Sequence, residues 1–230
     1  MSPELSASDP SIGLIYVDET LIVLDKPAGL LSVPGRGADK QDCLSARVQA
    51  QYADALVVHR LDMATSGLIV MARGATVQRT LSEAFANRLV AKRYEAVVHG
   101  EVLAPTDNWR LIDLPIGVDW PNRPLRVIDP LRGKPSTTRL QLSHFDAQRQ
   151  VSHVSLEPLT GRTHQLRLHL QAIGHPILGD AMYAPAPVAA MSPRLLLHAS
   201  ELGFAHPLTR LPMQFRLPRL KYPGESHTKR

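Results

Sequence analysis

Blocks of apolar residues recur along the whole chain, and their spacing divides it into short elements. Ile12 to Val17 and Leu21 to Asp25 are β-branched and aliphatic runs around Asp18-Glu19, the pattern of a hairpin. Lys26-Pro27-Ala28-Gly29 ends the second run, and Ser32 to Lys40, with Pro34, Gly35 and Gly37, is a loop. Cys43 to Tyr52 has helical spacing through Leu44 and Val48. Ala55 to Val58 and Leu68 to Ala72 read as buried strands, and Thr76 to Asn87 as a helix with Val77, Leu81 and Phe85 four residues apart. Ala91 to Gly100 alternates like a strand. Asp113 to Pro135, dense in Pro and Arg, is expected to form a long hairpin or extended excursion. Thr137 to Phe145 and Val151 to Leu156 are expected to pair across a turn at residues 146–150. Gly161 to Ile173 holds a helix with Leu166, Leu170 and Ile173 on its apolar face. A Pro/Ala/Met connection follows, then strands at Leu195 to Phe204 and Met213 to Leu217.

Strands occur both in hairpins and between helices, with no repeat and no linker. The class is therefore α+β, with a mixed, largely antiparallel sheet flanked by helices and loops. Residues 12–217 are expected to form one catalytic domain, with residues 1–11 and 218–230 as flexible termini.

Composition narrows this picture a little. Hydrophobic residues make up 44% of the 230, enough for a real core. The one cysteine, Cys43, excludes an intrachain disulfide and reads as a packed thiol. No apolar run reaches the length of a membrane span, so the expectation is a soluble, cytoplasmic protein without membrane partners. The formal net charge of +5 favours a polyanionic partner only weakly.

The chemistry concentrates in His59-Arg60-Leu61-Asp62-Met63-Ala64-Thr65-Ser66-Gly67. An acidic residue between two buried runs needs a reason, because an unpartnered buried charge is costly. One reason is structural: an Asp can cap a turn by accepting from the amides near Thr65-Ser66-Gly67. The other is catalytic. The string resembles the HRLD-x-x-TSG signature of the RluA family of pseudouridine synthases, in which this Asp is essential. Four further segments match that family in order: Lys26 to Gly35, Lys92-Arg93-Tyr94, Pro158 to Arg167 with Gly174 to Asp180, and Leu195 to Ala199.

The resemblance implies the pseudouridine synthase catalytic fold and a uridine isomerase acting on ribosomal RNA and tRNA stem-loops. It implies catalytic roles for Asp62, Tyr94 and Arg162. Asp62 is the reacting carboxylate. Arg162 is the cation that keeps it ionised in a dry pocket. Tyr94 stacks on the uracil and assists proton transfer. Some relatives carry an S4-type RNA-binding domain before the catalytic one; a first strand near Ile12 leaves no room for it here. Because the target base must leave its stack, Arg60 is placed to fill the vacated space or hold phosphate. Lys92, Arg123 and Arg126 complete the expected RNA contacts. Isomerisation changes no oxidation state and needs no acceptor, so no cofactor and no metal are expected. His164 and His169, five apart, do not share a helix face, and His175 and His198 read as structural hydrogen-bonders. The chain is expected to act as a monomer.

Three other readings compete. The same enzyme class could act on a single rRNA or tRNA target. A catalytically idle RNA-binding relative would have no need of an aspartate that repels phosphate. A glycoside hydrolase requires two carboxylates in separate roles; only Asp62 sits in a site-like motif, and Asp180 reads as a turn cap.

Overall fold

The computed structural model describes residues 12–103, 108–220 and 222. The chain divides into two compact units, Met1–Lys92 with Ala199–Leu217 and Arg93–His198 with Pro218–Arg230. Of the three crossings between them, two fall inside strands, at residues 92/93 and 198/199, and for that reason no linker composition marks those two in the sequence.

The first unit is built on two hydrophobic strands. β1 (Gly13–Val17) and β2 (Leu21–Lys26) form the expected hairpin, and β2 pairs antiparallel with β4 (Ser66–Arg73). Leu21, Val23, Leu68, Val70 and Ala72 are buried in one cluster with Leu81, Val90, Leu202 and Phe204. Burying each of the larger side chains contributes about 1.5–3 kcal/mol. The short β3 (Ala55–Val57) pairs with β4, and β11 (Leu197–Ala205) pairs with β12 (Pro212–Arg216). α1 (Leu44–Gln49) starts at Cys43, whose Sγ accepts the Ala46 N–H at 3.5 Å. The thiol is thus packed, as expected, and also caps a helix. α2 (Ala75–Ala86) lays Leu81 into the core, with Val77 and Phe85 packed alongside.

In the second unit the strand order is β5-β10-β9-β6. β9 (Thr137–Asp146) and β10 (Val151–Pro158) form the expected hairpin. Its turn is fixed by Asp146, which accepts the Gln148 and Arg149 N–H groups. β5 (Ala91–His99) pairs with β10. β6 (Arg110–Asp113), which the sequence pattern did not suggest, pairs with β9 through Arg110 to Asp113. The Pro/Arg-rich excursion forms a separate two-stranded ribbon, β7 (Ile116–Val118) and β8 (Arg126–Ile128).

α3 (Gln165–Ala172) departs most from expectation. Leu166 and Leu170 are buried as predicted, but so are Gln165, Arg167 and His169 on the polar side. Each polar group has partners. Gln165 donates to the Thr137 carbonyl and the Thr138 hydroxyl, His169 bonds Thr138 Oγ1 and the Leu114 carbonyl, and Arg167 pairs with Asp180. The connection after it contains a short helix, α4 (Ala186–Ala189). Of the tail expected to be flexible, Leu220 is buried and its N–H donates to Glu95 Oε2 at 2.7 Å. Residues 1–11, 221 and 223–230 lie outside the described residues. Among the described residues, no helix is long and apolar enough to cross a membrane, and no three metal-ligating side chains cluster.

Candidate active site

Asp62 sits in the loop between β3 and β4, half-buried. The loop is stitched to the Lys26–Gly35 segment, so two of the sequence motifs meet within the first unit. Ser32 Oγ donates to the Leu61 carbonyl at 2.7 Å and accepts the Leu61 N–H at 3.1 Å. The Gly29 N–H donates to the Met63 carbonyl at 2.8 Å. The Thr65 N–H closes a turn on the main-chain oxygen of Asp62 at 3.0 Å. At Gly67, φ is +114° and a Cβ would run into the Ala199 backbone, so only glycine fits. Nothing in the pattern of apolar positions foretold this stitching, because it joins residues about thirty positions apart through a single hydroxyl and single amides.

Lys26 is the residue that sequence reasoning missed. Its side chain is fully buried, and its ammonium donates to three main-chain carbonyls: Leu30 at 2.8 Å, Pro27 at 2.9 Å and Met63 at 3.1 Å. Burial pushes its pKa down to about 8, against the opposing pull of the Asp62 and Asp25 carboxylates. A buried cation thus lies in the field of Asp62. The available signal was a lysine at the end of an apolar strand, directly before Pro27.

His59, the first residue of the signature, is structural. Its Nε2 accepts the Val70 N–H at 3.1 Å and its ring stacks on Phe85 with centroids 4.3 Å apart. Burial holds the imidazole neutral, with a pKa near 3. Arg60 is exposed. Lys92 is half-buried, with its ammonium 5.8 Å from the centre of the Phe85 ring, and burial lowers its pKa.

In the second unit, Tyr94 lies on β5 opposite Leu156, half-buried. Arg162 is exposed, and its Nε donates to the Pro135 carbonyl at 3.3 Å. Arg167 of the same motif is buried. Its side chain is 4% exposed, its guanidinium forks onto Asp180, and its face lies 5.1 Å from the Tyr183 ring centre. The chain turns sharply between the two arginines, with His164 at φ 56°, so one faces water and the other the interior. Asp180 also accepts the Met182 and Tyr183 N–H groups, the turn-capping role expected of it.

Arg162 borders a cleft of about 460 Å³ that also takes in Arg126, Arg132, Lys134 and Trp120. Ile116, Gly117 and Val118 also line it. Arg123 is exposed and stacks on Trp120, its guanidinium carbon 3.5 Å from the ring centre.

An aspartate on a fixed loop with a buried cation in its field, and an arginine-lined cleft in the second unit, are features that an RNA-modifying enzyme can use. The sequence model of the RNA pseudouridylate synthase family matches residues 20–172, two-thirds of the chain, and the protein belongs to that family. The chain is 44% identical over 210 residues to the dual-specificity RNA pseudouridine synthase RluA of Escherichia coli strain K12, covering 91% of this chain and 94% of that one. It is 46% identical over 203 residues to the RluA of Vibrio parahaemolyticus, covering 87% and 80%. Among solved structures, human RNA pseudouridylate synthase domain containing 1 superposes with a TM-score of 0.74 at 27% identity, covering 95% of this chain and 86% of that one. Human RNA pseudouridylate synthase domain containing 4 shares the fold, with a TM-score of 0.69 at 24% identity, covering 90% and 89%.

Proposed function

We propose that this isomerase converts uridine to pseudouridine in stem-loops of both 23S ribosomal RNA and tRNA, as a cytoplasmic monomer whose catalytic domain spans residues 12–217. The reading is carried by the aspartate loop: Asp62 stands in an intact signature, held in place by Lys26, Gly29 and Ser32 of a second family motif. The dual-specificity relatives match nearly the whole chain, which supports the pair of targets.

In the reaction the N1–C1′ bond breaks, the uracil turns while bound, and a C5–C1′ bond forms. The C5 hydrogen leaves as a proton and N1 takes one up, so the product is an isomer and no cofactor is consumed. Asp62 supplies the carboxylate, by attack on C1′ or C6 or by proton abstraction. Lys26 fixes the carbonyl after it and contributes positive potential that favours the ionised acid. Tyr94 offers a ring for the uracil to stack on and a hydroxyl for the proton at C5. Arg162 is the cation that keeps the Asp62 carboxylate ionised, and Arg60, Lys92, Arg123 and Arg126 contact RNA phosphate.

The test is to incubate metal-stripped protein with a tRNA anticodon stem-loop and, separately, with a hairpin of large-subunit ribosomal RNA, and to assay pseudouridine in each. Product in both is expected without any addition. Product in one alone removes the dual specificity and keeps the enzyme class. RNA binding without product in either leaves an idle binding protein.

A further inference from the structure

The cleft of the second unit is built rather than incidental. Asp129 accepts the Leu131 and Arg132 N–H groups, and the Gly133 N–H donates to the Asp129 carbonyl at 2.8 Å. Gly133 packs against the Pro115–Ile116 backbone so closely that a Cβ has no space. The Ile116 and Lys134 main chains bond each other in both directions, at 3.0 and 2.9 Å. On the opposite side, the Tyr183 hydroxyl accepts the Arg126 N–H at 3.0 Å and bonds His164 Nδ1 at 2.7 Å. That phenol ties β8 to the start of α3, so Arg126 and Arg162 border the same space. Four cations face one carboxylate there, and the carboxylate is engaged in holding its own turn. Trp120, which lines the cleft, is 68% exposed, with Arg123 stacked on one face of its ring.

Cations around a cleft that also presents an indole match a nucleotide: phosphate for the guanidinium and ammonium groups, a base for the open face of the ring. We propose that this cleft is a second RNA subsite. It takes one unpaired nucleotide of the substrate loop other than the uridine being isomerised, with its base on Trp120 and its phosphate between Arg132, Lys134 and Arg126. The subsite rests on the reading of the protein as an RNA isomerase and adds to it an element that chooses among loops. A further unpaired base in the loop is a feature that loops of different RNAs can share, which suits recognition by shape.

Trp120 reports on its own occupancy. With Trp109→Phe, Trp120 is the one remaining tryptophan of the chain, and its fluorescence is followed while the anticodon stem-loop is added. Quenching that saturates with the binding curve is expected. Trp120→Ala should weaken binding roughly 5- to 100-fold. Lys134→Gln and Arg132→Gln should each flatten the dependence of log affinity on log salt by about 0.7–0.9. In all three the loss should fall on apparent affinity more than on the saturated rate, and thermal melting checks that each variant is folded. If the wild type binds and modifies the stem-loop while Trp120 fluorescence is unmoved and the variants bind normally, the subsite is overturned and the enzyme assignment stands. If the wild type neither binds nor modifies RNA, both fall.

Discussion

The buried ammonium of Lys26 donates to the main-chain oxygen of Met63 at 3.1 Å, and Met63 is the residue directly after Asp62. With the bonds to Pro27 and Leu30, all three N–H groups of a protonated lysine are used. A neutral amine has one donor fewer. Because burial lowers its pKa to about 8, the lysine sheds that proton at mildly alkaline pH.

Activity should therefore show an alkaline limb near pH 8, as the loop under Asp62 loses a tether. The stability effect runs the other way. A base whose folded pKa lies below its unfolded value of 10.5 gives stability that is complete above 10.5 and lost as pH falls through about 8. Activity and melting temperature should thus diverge between these values. Lys26→Met, which leaves three carbonyls unsatisfied, should lower stability by roughly 1–3 kcal/mol and remove the limb. A pH–rate profile of this variant identical to wild type would exclude Lys26 as its source.

Asp62→Asn keeps the shape of the side chain and removes its charge. Pseudouridine formation should fall below about a hundredth of the wild-type rate, with melting and stem-loop affinity nearly unchanged. Tyr94→Phe should bind RNA almost normally and form product slowly; Tyr94→Ala should also weaken binding. Equal losses in the two tyrosine variants would assign the whole effect to the hydroxyl.

The two arginines of the Thr160–Arg167 segment should separate cleanly. Arg162 is exposed, so Arg162→Ala should leave thermal stability unchanged and slow the single-turnover rate more than it weakens RNA affinity. Arg167→Ala strands the buried Asp180 carboxylate and should cost about 3–5 kcal/mol in a denaturant titration. Weakened affinity with a normal single-turnover rate in Arg162→Ala would make that residue a phosphate clamp instead.

His59 should make the protein acid-sensitive. Burial holds its folded pKa near 3, below the ordinary 6.5. Its stabilising contribution is complete above 6.5 and declines as pH falls toward 3. His59→Gln should flatten the fall in melting temperature across this range; an unchanged slope would place the acid sensitivity elsewhere.

The sequence by itself determined the elements that local pattern can specify. The runs at Leu21–Asp25 and Leu68–Ala72 were legible as strands because almost every residue in them is buried. α2 was legible because Val77, Leu81 and Phe85 recur at the helical period, and the hairpin at 146–150 because both flanking segments alternate. Asp62 was legible because its neighbours form an unusually specific string. The tertiary structure alone decided what depends on residues distant in sequence. β6 is too short and too mixed to announce itself, and exists because Thr137 to Leu140 offers it a partner edge. Arg162 and Arg167 read alike in the chain, and only the turn at His164 and the position of Asp180 send one to water and the other inside. Lys26 reads as a strand-ending charge until three carbonyls from two loops close around it. Hydrogen bonds of that kind join groups by position in space, and composition and periodicity carry no record of them.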